Sequence, residues 1–170
     1  SFMRHLLVSR FESSMAAFQT SLGYMIQSAE HLLTWIDRRH KIPVYKKGNL
    51  PEVDDFYTDD GMEEIQETFD KYESRGFFEI DMKYVEDNFI EDVKADIHLL
   101  QSLREEWFGK ENVIKQDPKL DSFIGIAKKK LEQEPERKLI VFSEYADTID
   151  YLGKKLVEAG LPVMKYTSAD

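Results

Sequence analysis

The chain has 170 residues, enough for one good core or two small ones, and 42% of them are hydrophobic, with 11 Phe, 8 Tyr and 2 Trp. It has no Cys, which excludes a disulfide framework, thiol catalysis and Cys-ligated zinc and fits a cytoplasmic protein. The net charge of −10 opposes a phosphate backbone at long range. No run approaches about 20 apolar residues, so no membrane span is expected, and residues 1–20 carry charges and hydroxyls throughout, unlike a signal peptide.

Charge is unevenly placed. Arg38, Arg39, Lys41, Lys46 and Lys47 occur without an acid among them, whereas Pro51–Asp70 holds nine acids and no base. A uniform acidic field is therefore the wrong picture.

The first element is helical. Phe11, Met15, Phe18, Leu22, Met25, Ala29, Leu32 and Ile36 follow steps of 4, 3, 4, 3, 4, 3, 4. That seven-residue repeat predicts the seam of a coiled coil or an antiparallel helix pair. The seam packs either on other helices of this chain or on a second copy, giving a homodimer through residues 11–36. A continuous helix from Met3 to His40 would be roughly 55 Å long. Gly23, which costs about 1 kcal/mol relative to Ala, is the expected place for a bend.

Residues 41–61 contain two Pro and two Gly and no period, so a loop is expected. Its acids Asp54, Asp55, Asp59 and Asp60 lack the alternate-ligand spacing and closing Glu of a calcium loop, so no metal is assigned. Met62, Ile65, Phe69 and Tyr72 predict an amphipathic helix over 62–74. Phe77, Phe78 and Ile80 form a short apolar patch, expected to be a turn that plugs the core. Asp81 can cap a helix over about 83–108, carried by Val85, Phe89, Val93, Ile97, Leu100, Leu103 and Trp107. No strand is expected in residues 1–110.

Asp117 followed by Pro118 reads as an N-cap and first helical position. Leu120, Phe123, Ile124, Ala127 and Leu131 mark that helix's inner face, and Pro135 closes it. Leu139, Ile140, Val141 and Phe142 then run without polar alternation, the pattern of a strand buried on both faces of a parallel sheet. Ser143 can cap a helix carrying Tyr145, Ile149, Leu152 and Leu156, which Gly160 ends. A second strand is expected over Pro162–Thr167, parallel to the first and reached by a right-handed crossover. The expected fold class is mostly α with a small α/β part: an antiparallel helical bundle over residues 1–116, then a partial βαβ unit over 117–170. Two strands are too few for a complete doubly wound sheet, so the chain is expected to be a fragment or to need sheet partners from elsewhere.

Catalytic motifs are absent. The sequence has no GxxxxGK[ST] phosphate loop, no acid pair after an apolar strand to hold magnesium and no GxSxG nucleophile elbow. None of the four His residues pairs with another at metal spacing.

Two segments carry a resemblance. KLIVFSEYADTIDYLGKKLVEAGLPVMKYTS, with Val141, Phe142, Ser143, Glu144, Tyr145, Thr148 and the Tyr151–Leu152 pair, resembles the opening of the second RecA-like lobe of Swi/Snf-type (HepA/RapA-like) superfamily-two helicases, where the strand end is motif IV. RFESSMAAFQTSL resembles the Arg-aliphatic-Glu-Ser-Ser helix that links the two lobes, with Phe11 in place of the aliphatic residue. Arg10, Glu12, Ser13 and Ser14 are that signature here. The order matches, and together the two segments cover about a quarter of the chain.

The resemblance implies a parent enzyme that hydrolyses ATP with magnesium and moves along duplex DNA. The phosphate loop and magnesium acid belong to the first lobe, and arginine fingers come late in the second. None lies in this chain, so it is expected to hold no catalytic residue and to need no cofactor of its own. Its partners would be DNA and the remaining RecA-like lobes of the same polypeptide. Ser143, Tyr145, Thr148, Thr167 and Ser168 are the candidate nucleic-acid contacts, since hydroxyls and free N–H groups at a helix start suit a phosphate. Arg38 and Arg39 are further candidates on a protruding insertion. Two other classes remain open: a non-catalytic helical protein-interaction module, and a small nucleotide- or phosphate-binding α/β protein. The helicase reading requires Leu139–Phe142 to lie as a strand parallel to Val163–Tyr166.

Overall fold

The computed structural model describes residues 2–45, 71 and 76–166. Over these residues the protein is mostly helical, with one small antiparallel sheet. The elements are α1 (Phe2–Ser13), α2 (Met15–Arg39), β1 (Lys41–Tyr45), β2 (Phe77–Asp81), a 3₁₀ turn (Met82–Tyr84), α3 (Phe89–Phe108), α4 (Pro118–Gln133) and α5 (Ala146–Glu158). No helix among the described residues is long and apolar enough to cross a membrane.

The chain divides into two compact units, Ser1–Tyr24 with Ser102–Asp170, and Met25–Gln101. The division cuts across the compositional boundary near residue 116, because α2 and α3 each contribute to both units.

In the first unit the interruption of the long helical stretch falls at Ser14, not at Gly23. Ser14 Oγ accepts the N–H of Ala17 at 3.0 Å, the geometry of an N-cap that starts α2 afresh. Ala17, Phe18, Leu22, Phe108, Leu120 and Ala127 are buried. Phe18 meets Phe11 and Trp107 edge-on, with ring centroids 5.2 and 6.0 Å away. The seven-residue seam is only partly the buried stripe. Ser14, Phe18, Leu22 and Ile26 recur every four residues and are buried, while Phe11 is exposed. A straight helix drifts by about 20° per heptad, so local packing selects its i, i+4 rows over a supercoiled seam.

Asp117 caps α4 through the N–H of Leu120, 2.9 Å away, with Pro118 behind it in the first turn. Helix α5 ends in a Schellman motif. Gly160 has φ +83°, its N–H bonds the carbonyl of Val157, and Leu161 N–H bonds that of Leu156. Both features match the sequence expectation.

The expected parallel strand pair is not formed. Neither Leu139–Phe142 nor the described chain after Gly160 joins a sheet. Ile140 is 75% exposed and Phe142 88%. The physical reason is cooperative: two isolated parallel strands leave both faces and both edges in water, and such a pair needs further strands to bury it. The chain after Gly160 instead doubles back along α5. Val163 lies against Gly153, and Lys165 pairs with Asp150 one turn earlier.

In the second unit His40, at φ +53°, turns the chain from α2 into β1. β1 pairs antiparallel with β2 in the register Lys41↔Asp81 through Tyr45↔Phe77. This corrects two expectations. Residues 41–45 are strand, not loop, and Phe77–Ile80 is strand, not a turn. Phe77 is buried and meets Trp35 with ring centroids 5.6 Å apart. Asp81 caps the 3₁₀ turn through Lys83 N–H rather than a helix, and α3 begins at Phe89, later than residue 83. The expected 62–74 helix, Lys71 apart, and the acids Asp54–Asp60 lie outside the described residues.

Candidate functional site

The end of α1 and the start of α5 meet in the first unit, and there the two signature segments come together. Ser9 Oγ lies 2.9 Å from Tyr145 Oη. Arg10 forms an ion pair with Asp147, and its guanidinium stacks 4.2 Å from the centre of the Tyr145 ring. Arg10 Nε also donates to Ser21 Oγ at 2.8 Å, which aims the guanidinium. Ser13 Oγ and Ser14 Oγ lie 2.8 and 2.9 Å from Thr148 Oγ1. Ser14 and Thr148 are buried. Removing any one member of this hydroxyl trio, two of which are buried, leaves another without that partner.

Local geometry supports the junction from both sides. Asp147 Oδ1 accepts the N–H of Thr148 at 2.9 Å, leaving Oδ2 for Arg10. Ser143 Oγ accepts the N–H of Tyr145 at 3.1 Å, so it closes a turn ahead of α5, and the cap position itself falls to Tyr145. Lys119 on α4 donates to the carbonyls of Glu12 and Ser13. Cations suit those last carbonyls of α1. Tyr151 on α5 donates to Asp117 Oδ2 at 3.2 Å. Burial, then the neighbouring Asp117 carboxylate, pushes the Tyr151 phenol well above its usual range, which keeps it a proton donor.

A cleft of about 1280 Å³ opens over this junction, lined by both signature segments and by Trp107, Phe123 and Phe142.

The structure brings Arg10, Ser13 and Ser14 together with Tyr145 and Thr148. The hydroxyls of Tyr145 and Thr148 face α1 and are engaged there, not directed at an open phosphate site. Glu12 is exposed, and only its carbonyl takes part, through Lys119. Thr167 and Ser168 lie outside the described residues. Arg38 is exposed at the end of α2 in the second unit. Arg39 is committed elsewhere: it binds Glu79 through two bonds of 2.6 and 2.9 Å and lies 5.8 Å from the Trp35 ring centre. Trp35 Nε1 donates to Glu79 at 2.8 Å and Lys41 pairs with it at 3.5 Å. Burial raises the Glu79 pKa, but Arg39, Trp35 and Lys41 outweigh it and hold the carboxyl below its ordinary value. That cluster anchors the hairpin to α2 and withdraws Arg39 from nucleic acid.

Ser9, Ser21, Asp147 and Glu79 escape sequence reasoning. Asp147 carries a faint signal as an acid in the first turn of a helix; its distant basic partner carries none. Among the described residues no group of three or more His, Asp or Glu is placed to hold a metal ion.

No family model matches the chain, and no curated protein or solved structure matches it.

Proposed function

We propose that this chain is the inter-lobe helix, a helical insertion and the opening of the second lobe of a Swi/Snf-type, HepA/RapA-like DNA translocase. The observation that carries it is the meeting of the two signature segments: Arg10 with Asp147, and Ser13 and Ser14 with Thr148. Each segment has its own likeness to the family, and the two lie more than 130 positions apart. The parallel pairing of Leu139–Phe142 with Val163–Tyr166 that this reading requires is absent among the described residues and counts against it, so the reading rests on the junction of the two segments alone.

In this reading ATP and magnesium are held by other parts of the parent polypeptide, and duplex DNA is its track. The chain's own residues do mechanical work. α1 grips the first turn of α5 through an ion pair, a stacked ring and three hydroxyls, so a displacement of the linking helix carries the motif IV turn with it.

The test is the complete open reading frame. It should encode a GxxxxGK[ST] element upstream and an Arg-bearing helicase motif downstream, and its purified product should hydrolyse ATP faster with duplex DNA. Asp147→Ala should reduce that stimulation while nucleotide binding persists. A reading frame without the phosphate loop, or a product whose hydrolysis ignores DNA, overturns the proposal.

A further inference from the structure

The cleft over the α1–α5 junction combines an exposed aromatic face with an acidic rim. Its floor and lip are aromatic and apolar: Phe11, Trp107 and Phe142 all line it and are all exposed, Phe142 at 88%. Its rim carries Glu12, Glu106 and Glu144, all exposed, and none of these carboxylates has an ion-pair or hydrogen-bond partner among the described residues. The cations in the lining are already engaged. Lys115 pairs with Glu111, and Lys119 donates to the carbonyls of Glu12 and Ser13.

We propose that this cleft is a docking site for a basic amphipathic helix of a partner protein. Apolar side chains at i, i+3, i+4 and i+7 of such a helix would cover Phe11, Trp107 and Phe142, removing exposed aromatic surface from water. Lys and Arg on its flanks would meet Glu12, Glu106 and Glu144. The charge selects the occupant. An acidic helix would face three uncompensated carboxylates, and a nucleic-acid backbone would meet the same repulsion with no free cation in the described lining to offset it. The proposal concerns the 170-residue chain as it stands and is an alternative to the translocase reading at Phe142, which that reading leaves to strands of the rest of the lobe.

The experiment uses two labelled probes of about 18 residues, a Leu/Lys amphipathic helix and the same sequence with Glu for Lys, together with a labelled DNA duplex. Fluorescence anisotropy should show saturable binding of the Lys probe, with the Glu probe and the duplex at least about tenfold weaker. Combined Glu12→Lys, Glu106→Lys and Glu144→Lys substitution, at exposed positions that leave the fold intact, should invert the preference between the probes. Phe142→Ser should weaken the Lys probe without changing the helical circular dichroism. A Lys probe that binds no better than the Glu probe overturns the proposal. So does a preference that survives the charge reversal, or a duplex that binds more tightly than the Lys probe.

Discussion

Arg10 and Asp147, 137 positions apart, form an ion pair whose guanidinium is simultaneously stacked on Tyr145 and tethered by Ser21. Both side chains are mostly withdrawn from water, at 13% and 29% exposure. A charge-assisted contact in this setting is stronger than a surface pair. Arg10→Ala and Asp147→Ala should each lower stability by about 1–3 kcal/mol. A double-mutant cycle read by urea unfolding should give a coupling energy of about 1 kcal/mol or more. Strict additivity would mean that the pair contributes nothing.

Thr148 holds the hydroxyls of both Ser13 and Ser14. Thr148→Val keeps the shape and leaves two serine hydroxyls without that partner, one of them buried. The expected cost is about 1–2 kcal/mol, a fall in Tm of about 2–8 °C for a chain of this size. Thr148→Ser should recover most of it. Loss in the serine variant with none in the valine variant, measured by thermal unfolding, would assign the effect to the methyl group instead.

Glu79 should give the second unit an acid-sensitive step. Its folded pKa lies below the ordinary 4.5, so the native state binds fewer protons than the unfolded chain as pH falls. The stability it contributes is complete above about pH 4.5 and is lost as pH drops through the lowered folded value. Glu79→Gln should cost about 3 kcal/mol at neutral pH by leaving Arg39 partly buried without its counter-charge, and should flatten stability against pH below about 4.5. A variant with the parental acid slope would place that slope in other carboxylates.

Gly160 sits at φ +83° with open space where a Cβ would go. Gly160→Ala should therefore cost about 1 kcal/mol through backbone conformation alone, with fraying confined to the end of α5. Amide exchange at Gly160 and Leu161, which make the Schellman bonds, reports it directly.

Elements with a local cause are legible in the sequence alone. Asp117–Pro118 starts α4, because a cap and a proline act within one turn, and Gly160 ends α5, because a left-handed residue is needed there. The α1–α2 stretch is legible as helix, but its interruption at Ser14 is not, since that serine serves Thr148 as well as its own N–H donor. Strands β1 and β2 leave no such mark. Each is five residues long, and a long connection separates them. Their pairing is supported by Trp35, Arg39 and Glu79, whose spacing along the chain gives no sign of contact.

The apolar run at Leu139–Phe142 shows the opposite failure. Its composition suits a buried strand, yet burial requires sheet neighbours, and without them the run lies exposed beside the cleft. Composition and spacing by themselves determined which segments coil into helices and where caps and stops fall, since those depend on neighbours within a turn. Only the tertiary structure decided that Arg10 finds Asp147, that Arg39 is bound to Glu79, and that no parallel pair forms among the described residues, because each depends on what distant side chains and strands offer in space.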